Sequence, residues 1–184
     1  EAGVKTELFD GRLSATLAWF QLTKQNIATL HPDPQLALQR ISVLTGEARN
    51  QGVEFDITGE ILPGWNVIAN YTFIDSEITK TNDNTLGNRF PNVPEHAGNI
   101  WTTYAFQNET LRGLKIGGGV TLRGKREGNP ENDFQMPGYA VFNLMTSYAM
   151  KMGKTRVTAQ LNVNNLFNEE YFPGSGGFNR ARIF

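Results

Sequence analysis

Apolar and polar residues alternate strictly along the segment from Val157 to Asn164. One set comprises Val157, Ala159, Leu161 and Val163, and the other comprises Thr158, Gln160, Asn162 and Asn164. A period of two places successive side chains on opposite faces of an extended chain. The pattern therefore predicts a β-strand with one apolar and one wet face.

The same alternation recurs along the chain and predicts about eight antiparallel strands in four hairpins. Short turns are predicted at residues 10–11, 62–64, 108–113 and 152–153, and long polar connections at 24–46, 79–95 and 125–137. Short and long connections alternate, which predicts an all-β, up-and-down meander with short turns at one rim and long loops at the other. This layout is typical of an outer-membrane barrel. A soluble antiparallel sheet is the alternative.

Individual residues refine this prediction. The aromatic residues Trp19, Trp65, Trp101 and Tyr139 are expected near the membrane–water interfaces, where such rings are enriched. Glycines 117–119 lie within a predicted strand, where glycine permits bending or close approach of another group. The run Asn164–Asn168 is predicted to end a strand and begin a loop, because asparagine tolerates turn geometry.

Composition narrows the functional classes. The chain has 184 residues, a formal net charge of −1 and no cysteine, so it offers neither a basic nucleic-acid surface nor a disulfide or thiolate metal site. Mean hydropathy is −0.38. No apolar run approaches the roughly 20 residues that a membrane helix needs. A transmembrane strand, by contrast, needs an apolar residue only at every second position.

Five phrases occur in an order that resembles one family. They are Asn50-Gln-Gly-Val-Glu54, Leu62-Pro-Gly-Trp65, Asn70-Tyr-Thr-Phe73, Gly87-Asn-Arg-Phe-Pro-Asn-Val-Pro-Glu-His96, and Asn164-Asn-Leu-Phe-Asn168 followed by Tyr171. The ordered set resembles the C-terminal barrel region of TonB-dependent ferric-siderophore receptors, and is most similar to the hydroxamate (ferrichrome or ferrioxamine) type. The resemblance covers nearly the whole chain.

The resemblance implies that residues 1–184 are the C-terminal segment of a 22-stranded barrel in the outer membrane of a Gram-negative-type envelope. It implies a ferric siderophore as transported ligand, no cofactor, and a TonB contact through an N-terminal region. The plug domain, the TonB box and the closing strand are expected to lie outside this sequence. The expected surroundings are a lipid bilayer, and the isolated chain is expected to self-associate through its strand edges.

Candidate ligand contacts lie on loops expected to be extracellular, at residues 79–95, 125–137 and 168–182. Aromatic faces suit a ligand with apolar edges, and arginine suits anionic oxygens. The candidates are Arg89, Phe90, Tyr171, Phe172, Phe178 and Arg180. Packing within the loops is the alternative role for each of them.

Two other functions remain open from the sequence. One is a free-standing eight-stranded barrel, structural or porin-like. The other is an outer-membrane hydrolase with Ser76, Ser147 or Asp56 near His96. No motif joins those residues, and neither His31 nor His96 has a neighbour at metal-ligand spacing, so neither an enzyme nor a metal site is expected.

Overall fold

The computed structural model describes residues 1–175 and 181–182. Their main feature is one antiparallel sheet of eight strands, which confirms the predicted meander. The elements are β1 (Ala2–Leu8), β2 (Leu13–Leu30), α1 (Pro34–Leu38), β3 (Ser42–Leu62), β4 (Trp65–Lys80), β5 (His96–Ala105), β6 (Leu114–Arg123), β7 (Arg126–Glu127), β8 (Gln135–Met136), β9 (Tyr139–Met152), β10 (Thr155–Val163), β11 (Gly174–Ser175) and β12 (Ala181–Arg182). The order in the sheet is β1-β2-β3-β4-β5-β6-β9-β10.

Two small ribbons stand apart from this sheet. Strands β7 and β8 pair within the connection between β6 and β9, and β11 pairs with β12. In the described part of the chain β1 pairs only with β2 and β10 only with β9, so these two strands are the sheet edges. Within the same residues, no helix has the length and apolarity needed to cross a membrane.

Strand register gives the sheet one apolar and one polar face. Leu17 pairs with Phe55, which pairs with Tyr71, and the row continues through Gly98 to Leu122. The adjacent row runs from Thr16 through Asp56, Asn70 and Asn99 to Thr121. Because alternate residues point to opposite sides, the first row belongs to the apolar face and the second to the polar face.

The predicted facing of the last long strand is confirmed. Leu161 pairs with Thr146 of β9, which pairs with Ile116 of β6, and that row continues to Tyr104 and Trp65. Leu161 is therefore on the apolar face, where its side chain is 62% exposed.

The connection predicted at residues 24–46 is wrong in its extent. Strand β2 continues to Leu30 and β3 begins at Ser42, so the irregular segment is only residues 31–41, which include α1. The connection predicted at 79–95 is nearly correct, because β4 runs to Lys80 and β5 begins at His96. Residues 24–30 and 42–46 are strand whose alternation is interrupted by register shifts between Lys24 and Ala28, and not a loop.

Two of the four aromatic residues predicted at the membrane interfaces lie on the polar face of the sheet. Trp101 pairs with Gly119 and lies on the polar face. A Cβ on Gly119 would be 2.4 Å from Trp101 Cε3, so the indole ring lies across the glycine and the close approach expected at residues 117–119 is confirmed. Tyr139, paired with Arg123, is on the polar face as well.

Candidate functional site

The apolar face is bounded by aromatic side chains at both ends. Near the long connections, the Tyr71 hydroxyl is 2.8 Å from His96 Nδ1, and the Phe73 and His96 rings are 5.3 Å apart. Near the short turns, Trp65 Nε1 donates to Thr102 Oγ1 at 2.7 Å, and the Tyr104 ring lies edge-on to Phe106. Trp65 and Phe73 are eight residues apart, which is about 27 Å along a strand and about 20 Å after a tilt of about 40°. That height is close to the apolar band of about 25 Å in outer-membrane barrels.

On the long-connection side of the row formed by Tyr71, Phe73 and His96, the same face becomes charged. Gln51 Nε2 donates to Asp75 Oδ2 at 3.1 Å, and Arg49 pairs with Glu77 at 2.6 Å. Farther along, Glu47 receives hydrogen bonds from Lys80, Thr79 and Gln25 at 2.8–3.0 Å. The change from aromatic to ion-paired residues therefore marks one boundary of the apolar band.

Three long connections meet above this boundary, and we call them the β4–β5 connection (81–95), the β6–β9 connection (124–138) and the terminal connection (164–175). The β6–β9 connection contacts both of the others, and those two also contact each other. Arg89 N donates to Asn132 Oδ1 at 2.7 Å, and Asn132 Nδ2 donates back to Arg89 O at 3.0 Å. Asn92 N donates to Glu127 O at 2.8 Å, while Asn92 Oδ1 accepts from Ser175 N at 2.7 Å.

A buried arginine joins the terminal connection to the sheet. Arg126 is 4% exposed, and its Nη2 donates to the carbonyl of Phe172. Its guanidinium lies 5.5 Å from the centre of the Tyr139 ring, which in turn packs against Tyr171 at 4.5 Å. Burial lowers the pKa of Arg126 from its ordinary value, the neighbouring Tyr139 raises it, and Arg123 lowers it further.

The run Asn164–Asn168 begins the terminal connection, as its asparagines predict. Asn165 and Asn168 have φ angles of 51° and 52°, in the left-handed region that asparagine tolerates. Asn165 Oδ1 accepts from Glu169 N at 2.8 Å, and Asn165 Nδ2 donates to Glu169 O at 3.0 Å. This ring of two hydrogen bonds closes the turn and directs the chain away from β10.

Four of the six candidate ligand residues lie in the described part of the chain. Arg89 is half-buried: its Nη2 donates to Ile74 O at 2.8 Å, and its Nη1 is 3.9 Å from Asp75 Oδ1. Phe90 N donates to the buried Ser76 hydroxyl at 3.0 Å. Both residues thus lie on the β4–β5 connection, each with at least one structural contact.

The other two described candidates, Tyr171 and Phe172, lie on the terminal connection beside Arg126. Arg89 and Phe90 are on the β4–β5 connection and Tyr171 and Phe172 are on the terminal connection, so the four form two pairs on connections that contact each other through Asn92 and Ser175. Phe178 and Arg180 lie outside the described residues.

Sequence reasoning missed the Arg126–Tyr139 pair that holds Tyr171. The available signal was a charged residue within a long connection, but Phe172, whose carbonyl accepts from Arg126, lies 46 residues away along the chain. In the described residues, no group of three or more His, Cys, Asp or Glu side chains is placed to hold a metal ion.

An apolar band between aromatic girdles, short turns at one rim and joined long connections at the other define the wall of an outer-membrane β-barrel. Comparison with known proteins narrows that class. The family description "TonB dependent receptor-like, beta-barrel" matches residues 1–166. The chain belongs to this family of receptors, as its ordered phrases predict.

Curated relatives agree with this assignment. The metal-pseudopaline receptor CntO of Pseudomonas aeruginosa is 36% identical over 95% of the chain and 24% of that protein. The ferrichrome outer membrane transporter/phage receptor of Escherichia coli K12 is 35% identical over 93% of the chain and 22% of that protein. The chain therefore spans about a quarter of the length of these relatives.

Solved structures share the fold. The siderophore receptor PiuA from Acinetobacter baumannii matches with a TM-score of 0.83 and 32% identity, over 98% of the chain and 26% of PiuA. The ferric preacinetobactin receptor BauA from the same species matches with a TM-score of 0.84 and 25% identity, over 98% of the chain and 26% of BauA. With this family membership, the apolar face is the lipid-facing side of a barrel wall and the polar face lines the lumen.

Proposed function

We propose that this chain forms part of the barrel wall of an outer-membrane receptor for TonB-dependent uptake of iron–siderophore complexes. The observation that carries the proposal is the two-faced wall whose long connections interlock at one rim, in a chain of the TonB-dependent receptor family. Relatives named for ferrichrome and for siderophore binding support iron–siderophore cargo. The metal-pseudopaline receptor matches equally well, so the relatives do not favour a hydroxamate siderophore over other metal complexes as the cargo.

The proposed receptor extends beyond these eight strands. Strands β1 and β10 are sheet edges, and exposed edge groups invite pairing with further strands. Coverage of about a quarter of the relatives supports a segment of a 22-stranded barrel. The plug, the closing strand and the TonB contact belong to other parts of such a protein. The isolated chain is accordingly expected to self-associate, with ultracentrifugation in the absence of detergent as the measurement.

Ligand contacts are proposed at the mouth formed by the three connections. Arg89, Phe90, Tyr171 and Phe172 are each partly exposed there, so they combine a structural contact with surface that a ligand can reach. Phe178 and Arg180 remain candidates on sequence grounds. The receptor needs no cofactor, because the chemistry of the cargo resides in the siderophore.

Binding of radiolabelled ferric ferrichrome to cells that express the full receptor tests these ligand contacts. Alanine substitution at all six candidates is expected to weaken binding at least tenfold, while the receptor still reaches the outer membrane. The matched control is Phe167→Ala, because Phe167 is exposed and packs against Phe142 on the apolar face, away from the lumen. Unchanged affinity for ferrichrome and for metal–pseudopaline in the sixfold variant would reject the contacts.

The two alternative functions lose support. A free-standing eight-stranded barrel requires β1 to pair with β10, whereas both are edges in the described chain. A hydrolase requires a nucleophile near His96. His96 lies on the apolar face with its Nδ1 at the Tyr71 hydroxyl, whereas Ser76 lies on the polar face and accepts from Phe90 N. We therefore propose a receptor without catalytic activity.

A further inference from the structure

The lumen-facing side of the sheet separates its charges by strand. Strands β5, β6, β9 and β10 contain no Asp or Glu. Lys115 pairs with Ser147, which in turn pairs with the lumen-facing Gln160. Lys151 and Arg156 each lie four residues along their strands from this row, so they share its face. The lumen-facing carboxylates of the sheet lie instead on β1 and β3, at Glu7, Glu54, Asp56 and Glu60.

Lys115, Lys151 and Arg156 form a basic lumen patch near the rim of the short turns. Lys151 and Arg156 are directly opposite each other on neighbouring strands. Like charges at directly opposite positions destabilise a sheet. None of the three forms an ion pair with a carboxylate in the part of the chain that the structure describes. Arg112 and Lys154, on the adjoining turns, line one hollow with Lys151 and Arg156 and add further positive charge.

The carboxylates of β1 and β3 are too far away to neutralise the basic lumen patch. Strands β3 and β6 are three strand spacings apart, or about 14 Å, and β10 lies two spacings beyond β6. An ion pair needs its charged atoms within about 4 Å. Glu109, on the turn between β5 and β6, forms no ion pair within the described residues. A carboxylate that neutralises the patch therefore has to come from outside this wall.

We propose that the basic lumen patch binds an acidic segment from the N-terminal part of the same receptor, outside residues 1–184. Lys151 and Ser147, the partner of Lys115, are four residues apart, or about 13 Å along β9. An extended segment carries side chains on one side at every second residue. Two carboxylates four residues apart on such a segment thus meet Lys115 and the Lys151–Arg156 pair, and charge-assisted hydrogen bonds hold them there.

Charge complementarity also fixes where this segment lies. Carboxylates on β1 and β3 repel an acidic segment, whereas β6, β9 and β10 attract it, and like-charge contacts exclude wrong arrangements. The inference rests on the proposed function, because this face is a lumen that another part of the receptor fills only if the chain is a barrel wall.

Photo-crosslinking within the full receptor, purified in detergent, tests this contact. Thr158 is exposed on the lumen face and lies two residues from both Arg156 and Gln160. Benzoylphenylalanine in place of Thr158 is expected to crosslink to an N-terminal peptide that contains Asp or Glu, identified by mass spectrometry. Val157 is the matched control position, because it is exposed on the lipid-facing side of the same strand. Benzoylphenylalanine in place of Val157 is expected to give at least about tenfold less of that product, since alternate residues face opposite sides.

Charge dependence separates an acidic contact from mere proximity. The double variant Lys151→Gln/Arg156→Gln is expected to lower the crosslink yield at position 158 at least about fivefold. Arg12→Gln should leave the yield unchanged, because Arg12 is an exposed cation at the turn between β1 and β2, on the same rim. Without either charge variant, a rise from about 0.01 M to about 1 M salt should lower the yield as well, since the Debye length shrinks from about 30 Å to about 3 Å.

Several outcomes overturn the inference but leave the proposed function intact. They are no crosslink at position 158, a crosslink to a peptide without carboxylates, and a yield that neither the double variant nor salt changes. Gel mobility before and after heating shows that each variant is folded, and the salt series does not depend on the double variant. An equally strong crosslink from position 157 would instead overturn the assignment of the two faces, and with it the proposed function.

Discussion

An arginine in place of Leu161 tests whether the apolar face contacts lipid. Leu161 lies six residues from the start of β10, which is about 20 Å along the strand and about 16 Å along the membrane normal. In an apolar band of about 25 Å this position is within a few ångströms of the midplane. A cation there is expected to lower the free energy of unfolding by about 2–4 kcal/mol.

The neighbouring polar position provides the control. Gln160 lies on the lumen face and donates to Asn162 Oδ1 at 3.0 Å. Gln160→Arg loses that exposed hydrogen bond but keeps its charge in water, so its cost should stay below about 1 kcal/mol. Urea unfolding of the full receptor in bilayers, followed by its gel mobility, measures both variants. Equal costs at the two positions, or a larger cost at Gln160, would refute the assignment of the faces.

Other positions give local tests. Gly119→Ala should cost about 1–3 kcal/mol in thermal unfolding, because its Cβ would be 2.4 Å from Ile100 O. Gly118→Ala should cost less, because the nearest atom to its Cβ, at 3.1 Å, belongs to the exposed Leu144 side chain; equal costs would contradict this. Asn92→Gly keeps the left-handed backbone but removes the contacts to Ser175, so hydrogen exchange in 171–175 should accelerate, and unchanged exchange would refute that link. Burial raises the pKa of Asp83, but hydrogen bonds from Thr85 and Thr81 outweigh burial and lower the pKa below its ordinary value of 3.8. Protection of the amides of residues 81–85 against hydrogen exchange should therefore be complete above pH 3.8 and disappear as the pH falls through the lowered pKa. Asp83→Asn should show no such loss in hydrogen exchange across this range, and an identical pH profile would refute the role of Asp83.

Alternation predicted the strands well where one face meets lipid and the other meets water. It failed at the upper ends of β2 and β3, because apolar residues are adjacent there, as at Ile27–Ala28 and Val43–Leu44, and the strand pairing shifts in register between Lys24 and Ala28. A bulge of this kind interrupts the period of two, so the sequence pattern indicated a loop.

The mouth was predictable only in part. The left-handed turns at Asn165 and Asn168 follow from local residue preferences, and both are present. The packing of Arg126 between Phe172 and Tyr139 depends on contacts between distant segments, which local patterns do not encode. Likewise, Trp101 resembled an interfacial residue because its ring is amphipathic, whereas its position two residues after Asn99 puts it on the lumen face, where Gly119 leaves room for the ring.

The abrupt boundary between aromatic and ion-paired rows also has a mechanical consequence. In the proposed receptor, a force applied from the periplasmic side would act on this wall along the membrane normal. Sliding the wall inward by one row would carry the Gln51–Asp75 pair toward hydrocarbon, and sliding it outward would lift Tyr71 and His96 into water. Both displacements raise the free energy, since charged groups are disfavoured in lipid and aromatic rings favour the interface. The boundary therefore acts as a stop in both directions, so that pulling force displaces what lies inside the barrel and leaves the wall at its depth.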